Sequence, residues 1–261
     1  MIRIVFLDFD GTLYSHQTLS FPRSALNALK KLKENGILSF LCSGRALVEL
    51  DQFDMSEIEV DGMILSNGLV AFDSKGNKIY EKVIDGQLKE TLLRYFNEKR
   101  FPIYFSTPHK VILNYCDEIV KHVQDAVSSE VPPVGEFCDE PIYMASAFFK
   151  GEDMPKEILD LKDIAEVTIW HQGALDVVPK GMSKVSGIEA VCDHYGITRE
   201  ETICFGDGDN DIAMLKHCGI GVAMGNSPDF VKEAADYVTD DIDEDGLYNG
   251  LIHFGLIKED Q

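Results

Sequence analysis

The segment that most constrains the fold is Ile2-Arg3-Ile4-Val5-Phe6-Leu7-Asp8-Phe9-Asp10-Gly11-Thr12-Leu13. Its first half, residues 2–7, is an apolar run rich in β-branched side chains, which is typical of a parallel strand buried on both faces. Two carboxylates, Asp8 and Asp10, continue this strand, and a tight turn at Gly11 can bend the second carboxylate back over the first. An Asp-Gly pair alone is a common hairpin turn. The full D-x-D-G-T pattern has a chance frequency of about 0.002 per chain of this length under uniform composition, so it indicates a functional site.

The segments that follow predict a parallel sheet with short connections. Apolar residues at helical spacing predict a helix with Ser20 as its N-cap and Gly36 just past its end. A second strand at 37–42 runs into Ser43-Gly44-Arg45, and a third strand covers 63–66. Similar elements return near the end of the chain, at 184–195 (helix), 202–205, 220–223 and 237–238 (strands) and 247–254 (helix). This order is typical of an α/β fold.

The middle of the chain differs from both ends. Residues 69–82 alternate in hydrophobicity around a turn, which predicts a hairpin. Paired strands with helices between them follow, with helices predicted at 88–99, 117–127 and 155–162 and strands at 102–106, 110–115, 142–149, 166–170 and 174–178. We therefore expect an α/β protein with a Rossmann-like parallel sheet core, helices on both faces and an inserted α+β cap domain. The core is assigned to residues 1–82 and 179–261, and the cap to 83–178.

Charge and composition exclude several classes of function. The chain has 261 residues and a formal net charge of −21, which repels nucleic-acid phosphates and anionic membrane surfaces. No apolar run approaches the roughly 18 residues that a membrane span needs, and the N-terminal segment is too quickly acidic for a signal peptide. The six cysteines contain no C-x-x-C pair, which favours reduced and mostly buried thiols. We therefore expect a cytoplasmic protein with neither nucleic-acid nor membrane partners.

Three further polar segments follow predicted strands or begin a helix, and ligand sites of open α/β sheets gather at the carboxyl ends of strands. Ser43-Gly44-Arg45 offers a hydroxyl and backbone N–H groups that suit a phosphate oxygen, although a serine there is equally suited to cap a helix. Lys184 alone is typical of a surface lysine, but as a cation near a helix N-terminus it suggests a bound anion. Gly206-Asp207-Gly208-Asp209-Asn210-Asp211 has three acids within five residues, which suits a hard divalent cation.

Calcium loops of the EF-hand type are a testable alternative for the acidic segments. A loop starting at Asp207 would need glycine at its sixth position and glutamate at its twelfth, where this chain has Ile212 and Cys218. A loop starting at Asp241 has glycine at the sixth position but Ile252 at the twelfth. Both assignments fail, and residues 241–246 are interpreted as a solvated loop that places acids ahead of the last helix.

Together these segments resemble the motifs of the haloacid dehalogenase (HAD) superfamily of phosphohydrolases. The resemblance rests on D-x-D-G-T-L at 8–13, S-G-R at 43–45, Lys184, and G-D-G-x-N-D at 206–211. The large insert is similar to the type C2B cap of the Cof subfamily, so the resemblance covers essentially the whole chain. One departure is Ser43, where this group commonly has threonine, and the hydroxyl is kept.

The resemblance implies a role for each of these residues. Asp8 would be the nucleophile that forms an aspartyl-phosphate, and Asp10 would be the general acid and then the general base. Mg²⁺ would be held by Asp8, by the backbone carbonyl of Asp10 and by Asp207, with Asp211 as a further ligand or as a support for the ligands. The phosphoryl oxygens would be bound by Ser43, Gly44, Lys184 and Asn210.

We therefore expect a Mg²⁺-dependent phosphatase, a monomer or weak homodimer, that hydrolyses small phosphomonoesters such as sugar phosphates, nucleotides or phosphorylated cofactors. The alternatives are a phosphomutase on the same core and a receiver-like module that is phosphorylated on aspartate. Phosphomutases of this group mostly carry a helical cap between the first two motifs, where this chain has only ~30 residues. A receiver is much shorter and needs no cap. Cap residues would select the substrate, and His109, Asn114 and Trp170 are candidates for this role.

Overall fold

Two compact units make up the computed structural model, which describes residues 1–151 and 153–259. The first unit contains Met1–Gly44, Met55–Tyr80 and Lys184–Gln261. The second contains Arg45–Asp54 and Glu81–Ser183. Residues 45–54, 81–82 and 179–183, expected from the sequence in the core, thus group with the residues of the expected cap. The functional division into a core and a cap stays a prediction.

Strands and helices alternate near both ends of the chain. In chain order the strands are β1 (Ile4–Leu7), β2 (Leu38–Cys42), β3 (Gly62–Leu65), β4 (Val70–Asp73), β5 (Lys78–Glu81), β6 (Ile103–Ser106), β7 (Val111–Leu113), β8 (Met144–Phe148), β9 (Ala165–His171), β10 (Ala174–Pro179), β11 (Thr202–Gly206), β12 (Ile220–Ala223) and β13 (Tyr237–Val238). The helices are α1 (Arg23–Glu34), α2 (Leu47–Leu50), α3 (Gly86–Asn97), α4 (Glu118–Ala126), α5 (Lys156–Leu159), α6 (Lys184–Tyr195), α7 (Ile212–His217), α8 (Asp229–Lys232) and α9 (Gly246–His253). In the part of the chain that the structure describes, no helix has the length and hydropathy required to cross a membrane.

The sheet of the first unit has the order β13-β12-β11-β1-β2-β3-β4-β5. Pairing is parallel from β13 across to β3, and β4 joins β3 in the antiparallel orientation. β1 lies between β11 and β2, and all four of its residues are buried. A strand that is covered on both faces has no polar face, which is why β1 is an unbroken apolar run in the sequence. The predicted α/β class, with a mainly parallel sheet flanked by helices, is confirmed.

Helix α1 ends where the sequence predicts but begins later. Gly36 follows its end with a φ of +69°, the left-handed position that glycine favours at a helix C-terminus. Ser20 does not cap the helix, because its backbone exchanges hydrogen bonds in both directions with Ser15. The helix begins instead at Arg23, directly after Pro22.

The second unit contains a separate antiparallel sheet in the order β7-β6-β8-β10-β9. Its side chains alternate between two apolar clusters. Residues of α3 and α5 share one cluster with Phe105 and Leu175, and residues of α4 share the other with Tyr104 and Phe148. This arrangement of paired strands and helices confirms the predicted α+β character of the middle of the chain.

Helix α6 approaches the sheet of the first unit closely because Gly187 has no side chain. A Cβ atom there would lie 2.3 Å from Cγ2 of Ile64 in β3 and 3.3 Å from the backbone of Gly68. Ile188, the next residue of α6, belongs to the buried cluster on this face of the sheet. The close approach of helix to sheet therefore helps to fix the position of Lys184, the first residue of α6.

Replacing Gly187 with alanine is expected to lower the free energy of unfolding by about 1–3 kcal/mol, since the added methyl group overpacks the contact with Ile64. Alanine favours a helix over glycine by about 1 kcal/mol, so helix propensity alone predicts the opposite sign. Urea titration followed by circular dichroism measures the difference. A Gly187→Ala protein more stable than the parent chain would contradict the close packing.

Candidate active site

The carboxyl ends of three neighbouring strands bring the predicted site residues together. In the sheet register, the last residue of β1 pairs with Leu41 of β2 and with Phe205 of β11. The chain leaves these strands one or two residues later, so Asp8, Ser43 and Asp207 follow at the same edge of the sheet. On one side of β1 lie β2 and β3, and on its other side lie β11, β12 and β13, so the strand order changes direction at β1. Open α/β sheets bind ligands at such a switch point.

Lys184, the first residue of α6, supplies a buried cation at this edge. Its side chain is 0 % exposed, and its ammonium group donates hydrogen bonds to Oδ1 of Asp8 and, at 2.6 Å, to Oδ1 of Asp211. The two carboxylates offset the unfavourable placement of a cation at a helix N-terminus. The sequence suggests a bound anion next to Lys184. In the structure, the carboxylates of Asp8 and Asp211 occupy this position.

Asp211 also supports the acidic loop between β11 and α7. Its Oδ2 atom accepts hydrogen bonds from the backbone N–H groups of Asp207 and Gly208, both at 3.0 Å. Because Oδ1 contacts Lys184, both oxygens of Asp211 contact donors of the chain. Gly206 permits this arrangement, since a Cβ atom there would lie 2.5 Å from Cγ of Asp211. The position of Asp207 therefore depends on the buried Asp211 carboxylate.

Asp8, Asp207 and Asp211 form a cluster that could hold a metal ion. One carboxylate oxygen of each residue lies within 4.8 Å of the other two. All donors are oxygens, the ligands that hard divalent cations such as Mg²⁺ prefer. Asp211 is engaged by three donors of the chain, so Asp8 and Asp207 fit the part of direct ligands better. The residues present therefore fit a hard divalent cation.

Four carboxyl groups (Asp8, Asp10, Asp207 and Asp211) and the ammonium group of Lys184 leave the site with excess negative charge. Burial and the neighbouring Asp211 hold the pKa of Asp8 well above its usual value, although Lys184 acts in the opposite direction. Burial and Asp211 also raise the pKa of Asp207 to about 7. Burial disfavours the charge on Lys184, but the carboxylates of Asp211 and Asp8 outweigh it and raise its pKa. A divalent cation would relieve the repulsion among these carboxylates.

Asp207 is held against the turn that follows β1. Gly11 in this turn has a φ of +73°, and a Cβ atom there would lie 2.2 Å from Oδ2 of Asp207. Nδ2 of Asn226 donates to the carbonyl of Gly11 at 2.8 Å and to Oδ2 of Asp207 at 3.3 Å. Asn226 therefore links the turn at Gly11 to the acidic loop that contains Asp207. The sequence does not predict this role, because a lone asparagine in a Gly-Asn-Ser loop is also typical of an ordinary turn.

Three of the four predicted phosphate-binding residues (Ser43, Gly44 and Asn210) meet at Asn67, which the sequence does not single out. Ser43 is fully buried, and its carbonyl accepts the N–H of Asn67 at 3.1 Å. Oδ1 of Asn67 accepts a hydrogen bond from Nδ2 of Asn210 at 3.4 Å, and a Cβ atom at Gly44 would lie 3.1 Å from the same oxygen. Asn67 has a φ of +53°, a conformation that often marks constrained functional loops. Its position after β3 is the sequence signal that could have identified it.

Asp10 contacts His16, a second residue that the sequence does not predict. Nε2 of His16 lies 2.8 Å from Oδ1 of Asp10, and both side chains are partly exposed. His16 lies six residues after Asp10, in a loop, where neither helix nor strand periodicity indicates which side chains meet.

Of the three side chains proposed to select the substrate, Asn114 has a structural role. Its side-chain amide makes four hydrogen bonds, all to backbone groups of the second unit. Four bonds saturate a side-chain amide, so the expectation that Asn114 binds substrate is wrong. Trp170 donates from Nε1 to Oδ1 of Asp176 at 2.9 Å, and His109 is exposed between β6 and β7. A role of Trp170 and His109 in substrate selection stays a prediction.

Comparison with known proteins identifies relatives over nearly the whole chain. The sequence model of the haloacid dehalogenase-like hydrolases matches residues 5–251. Putative phosphatase YkrA of Bacillus subtilis is 29% identical over 98% of this chain and 99% of that protein. A putative bifunctional phosphatase/peptidyl-prolyl cis-trans isomerase of Streptococcus pyogenes serotype M6 is 29% identical over 99% of this chain, which spans only 55% of that protein's length. The solved structure of the HAD subclass IIB sugar phosphatase BT4131 is 34% identical, with a TM-score of 0.85 over 98% of this chain and 100% of that chain.

Replacing Gly11 with alanine is expected to weaken the binding of a divalent cation about 10–100-fold, because the new methyl group would displace the Asp207 carboxylate. Isothermal titration with Mg²⁺ measures the affinity. Gly76→Ala is the matched control, since Gly76 has a φ of +79° but nothing within 4 Å of an added Cβ atom. Equal cation affinities of the two variants would contradict the role of Gly11.

The raised pKa of Asp207 also predicts how stability changes with pH when the metal is chelated. The folded chain binds this proton more tightly than the unfolded chain, so the stabilisation is complete below the ordinary pKa of 3.8 and is lost as the pH rises to about 7. The melting temperature in EDTA is therefore expected to fall less across this range in Asp207→Asn than in the parent chain. Asp209→Asn, an exposed acid of the same loop, is the control. Parallel profiles for the parent and Asp207→Asn would contradict the shift.

Proposed function

We propose that this chain, which belongs to the haloacid dehalogenase-like hydrolase family and is a phosphoric monoester hydrolase, uses Mg²⁺ and an aspartyl-phosphate to hydrolyse small phosphomonoesters. The observation that carries the proposal is the contact of the buried Lys184 ammonium with both Asp8 and Asp211, beside Asp207. This arrangement holds a carboxylate nucleophile, a cation and a group of acidic metal ligands at one edge of the sheet. Sugar phosphates, nucleotides and phosphorylated cofactors are the proposed substrates, and the relative BT4131 is a sugar phosphatase.

Asp8 is the proposed nucleophile. Lys184 contacts Oδ1, so we assign the attack on phosphorus to Oδ2. As the Oδ2–phosphorus bond forms, the bond from phosphorus to the ester oxygen breaks, and Asp10 gives its proton to the departing oxygen. In the second step, Asp10 takes a proton from a water molecule, whose oxygen attacks phosphorus and releases Asp8 and inorganic phosphate. Two alternating roles for one carboxyl group require it to be partly accessible, which Asp10 is.

The proposed phosphate-binding residues stabilise the charge on the transferring group. Ser43 offers its hydroxyl, Gly44 its backbone N–H, Asn210 its side-chain amide and Lys184 its ammonium group. Donors that are already fixed by the fold need no reorganisation when negative charge develops on the phosphoryl oxygens. The contacts of Asn67 fit this requirement, because they hold the backbone at Ser43 and the side-chain amide of Asn210 before substrate arrives.

Asp8, Asp207 and the backbone carbonyl of Asp10 are the proposed Mg²⁺ ligands, and Asp211 is proposed to hold Asp207 in place. The bound cation would neutralise charge on the nucleophile and on the phosphoryl oxygens, which are otherwise repelled by the carboxylates. Support comes from the oxygen-only donor set and from the pKa values of Asp8 and Asp207, which burial and the neighbouring Asp211 raise.

Residues 83–178 are proposed as a cap that determines which leaving group is accepted, and a small phosphorylated metabolite as the partner of the site. A net charge of −21 disfavours nucleic acids and anionic membrane surfaces as partners. We further propose a cytoplasmic location and a monomer or weak homodimer.

Hydrolysis of p-nitrophenyl phosphate in the presence of Mg²⁺ tests the proposal. Asp8→Asn is expected to lower kcat by at least about a thousandfold, because the amide is not a nucleophile. EDTA should abolish phosphate release and added Mg²⁺ should restore it. Asp209→Asn, in the same loop as Asp207, controls for the loss of one negative charge. An Asp8→Asn protein as active as the parent chain would contradict the assignment of Asp8 as the nucleophile.

Acid quenching during turnover, followed by mass spectrometry of peptides, distinguishes the proposed phosphatase from a receiver-like module. A short-lived phosphate on the Asp8 peptide is the expected result. A phosphorylated state that persists for minutes without release of phosphate would instead favour a receiver-like module.

A further inference from the structure

His16 contacts the proposed general acid in a way that limits where its proton can be. Nε2 of His16 lies 2.8 Å from Oδ1 of Asp10. Nδ1 of His16 is buried and has no hydrogen-bond partner within the described ranges. A neutral imidazole has one donor and one acceptor nitrogen, so this pattern fits a ring with its proton on Nε2. The Nε2–H donor then faces the carboxyl oxygen of Asp10. The nitrogen without a partner, Nδ1, is the acceptor of the ring, and a buried acceptor without a partner is less unfavourable than a buried N–H donor without one.

The loop around His16 holds the ring in this position. Ser15 and Ser20 exchange backbone hydrogen bonds at 3.0 and 3.3 Å, which closes the loop on both sides of His16. The His16 ring packs edge-on against Tyr14, with ring centroids 5.3 Å apart. Tyr14 in turn stacks on Phe9, which is completely buried. The imidazole is therefore fixed before any substrate binds.

Stability alone does not account for this contact. The side chains of His16 and Asp10 are 29% and 35% exposed, so water could solvate either group. Polar pairs at this exposure contribute little to folding. Control over the direction of the Asp10 carboxyl group is a function that the geometry does support.

We propose that His16 is a positioning residue for Asp10: its Nε2–H donates to Oδ1, so that the transferable proton of Asp10 resides on Oδ2. The inference rests on the proposed phosphatase function. When the ester bond breaks, the proton moves from Oδ2 to the leaving oxygen, and the carboxylate that remains still accepts the His16 hydrogen bond. In the second step the same oxygen takes the proton from water, and the starting state is restored. His16 itself neither gains nor loses a proton.

The inference makes the effect of His16 depend on the leaving group. An alkoxide is a poor leaving group and requires a proton as the ester bond breaks, whereas p-nitrophenolate leaves without one. The ratio kcat/KM depends only on the steps up to and including the first irreversible one, which here is the transfer of the phosphoryl group to Asp8. Comparison of kcat/KM for an alkyl and an aryl ester therefore isolates proton donation by Asp10 from its later action on water.

Two substitutions separate the hydrogen bond from the packing of the ring. His16→Phe keeps an aromatic ring against Tyr14 but removes the donor. His16→Gln loses the ring but keeps an N–H group at a similar reach. We expect His16→Phe to lower kcat/KM for glycerol 2-phosphate about 10–100-fold, and for p-nitrophenyl phosphate by less than about threefold. His16→Gln is expected to recover most of the activity on glycerol 2-phosphate. Melting temperatures of both variants show whether the loop remains folded.

Several outcomes would overturn the inference. Equal losses on both esters in His16→Phe would mean that the substitution disturbs the site as a whole. Full activity of His16→Phe, or a His16→Gln protein as slow as His16→Phe, would show that the donor has no role. A parent chain active on p-nitrophenyl phosphate alone would leave no proton donation for His16 to support. A parent chain that hydrolyses neither ester contradicts the proposed function itself and is thereby distinguished from these results.

Discussion

One buried ammonium group among several carboxylates is the constraint on which the site depends. Lys184 contacts Asp8 and Asp211, and its positive charge offsets part of the cost of burying these two carboxylates. Removal of one partner from a buried ion pair costs about 3–5 kcal/mol, so the three groups must be assembled together. The compensation is still incomplete, because one cation faces four carboxyl groups. The remaining negative charge is what makes the site suited to a divalent cation.

The fold assembles this group from residues that are far apart in the chain. Lys184 and Asp8 are 176 residues apart, and their contact requires α6 to begin beside the carboxyl end of β1. The parallel register sets the level of each polar segment along the sheet, and glycines set the distances between segments. Gly187 allows α6 to approach β3, and Gly11 allows the first turn to approach Asp207. A larger residue at position 187 would move α6 away from β3, and a larger residue at position 11 would move the first turn away from Asp207.

The sequence predicts the strands and the motif residues well because both depend on local patterns. A strand buried on both faces must be apolar throughout, and the polar residue that follows it must lie at the edge of the sheet. The start of α1 was not predictable in this way, since Ser20 is engaged by Ser15 in a turn. Asn67, Asn226 and His16 were missed for a related reason. Their partners are fixed by loop conformation and tertiary contact, which no periodicity encodes.

The two aspartates of the first motif show how environment can suit identical side chains to the different roles proposed for them. Asp8, the proposed nucleophile, contacts the Lys184 ammonium, which favours its ionised form, whereas burial and the acidic neighbours oppose that form. A bound metal would offset the acidic neighbours. Asp10, two residues later, is one-third exposed and contacts an imidazole that fits the neutral form. A proton donor needs this kind of surrounding, where a proton can be held on one oxygen and exchanged with substrate or water. The tight turn at Gly11 is what allows residues so close in sequence to enter such different surroundings.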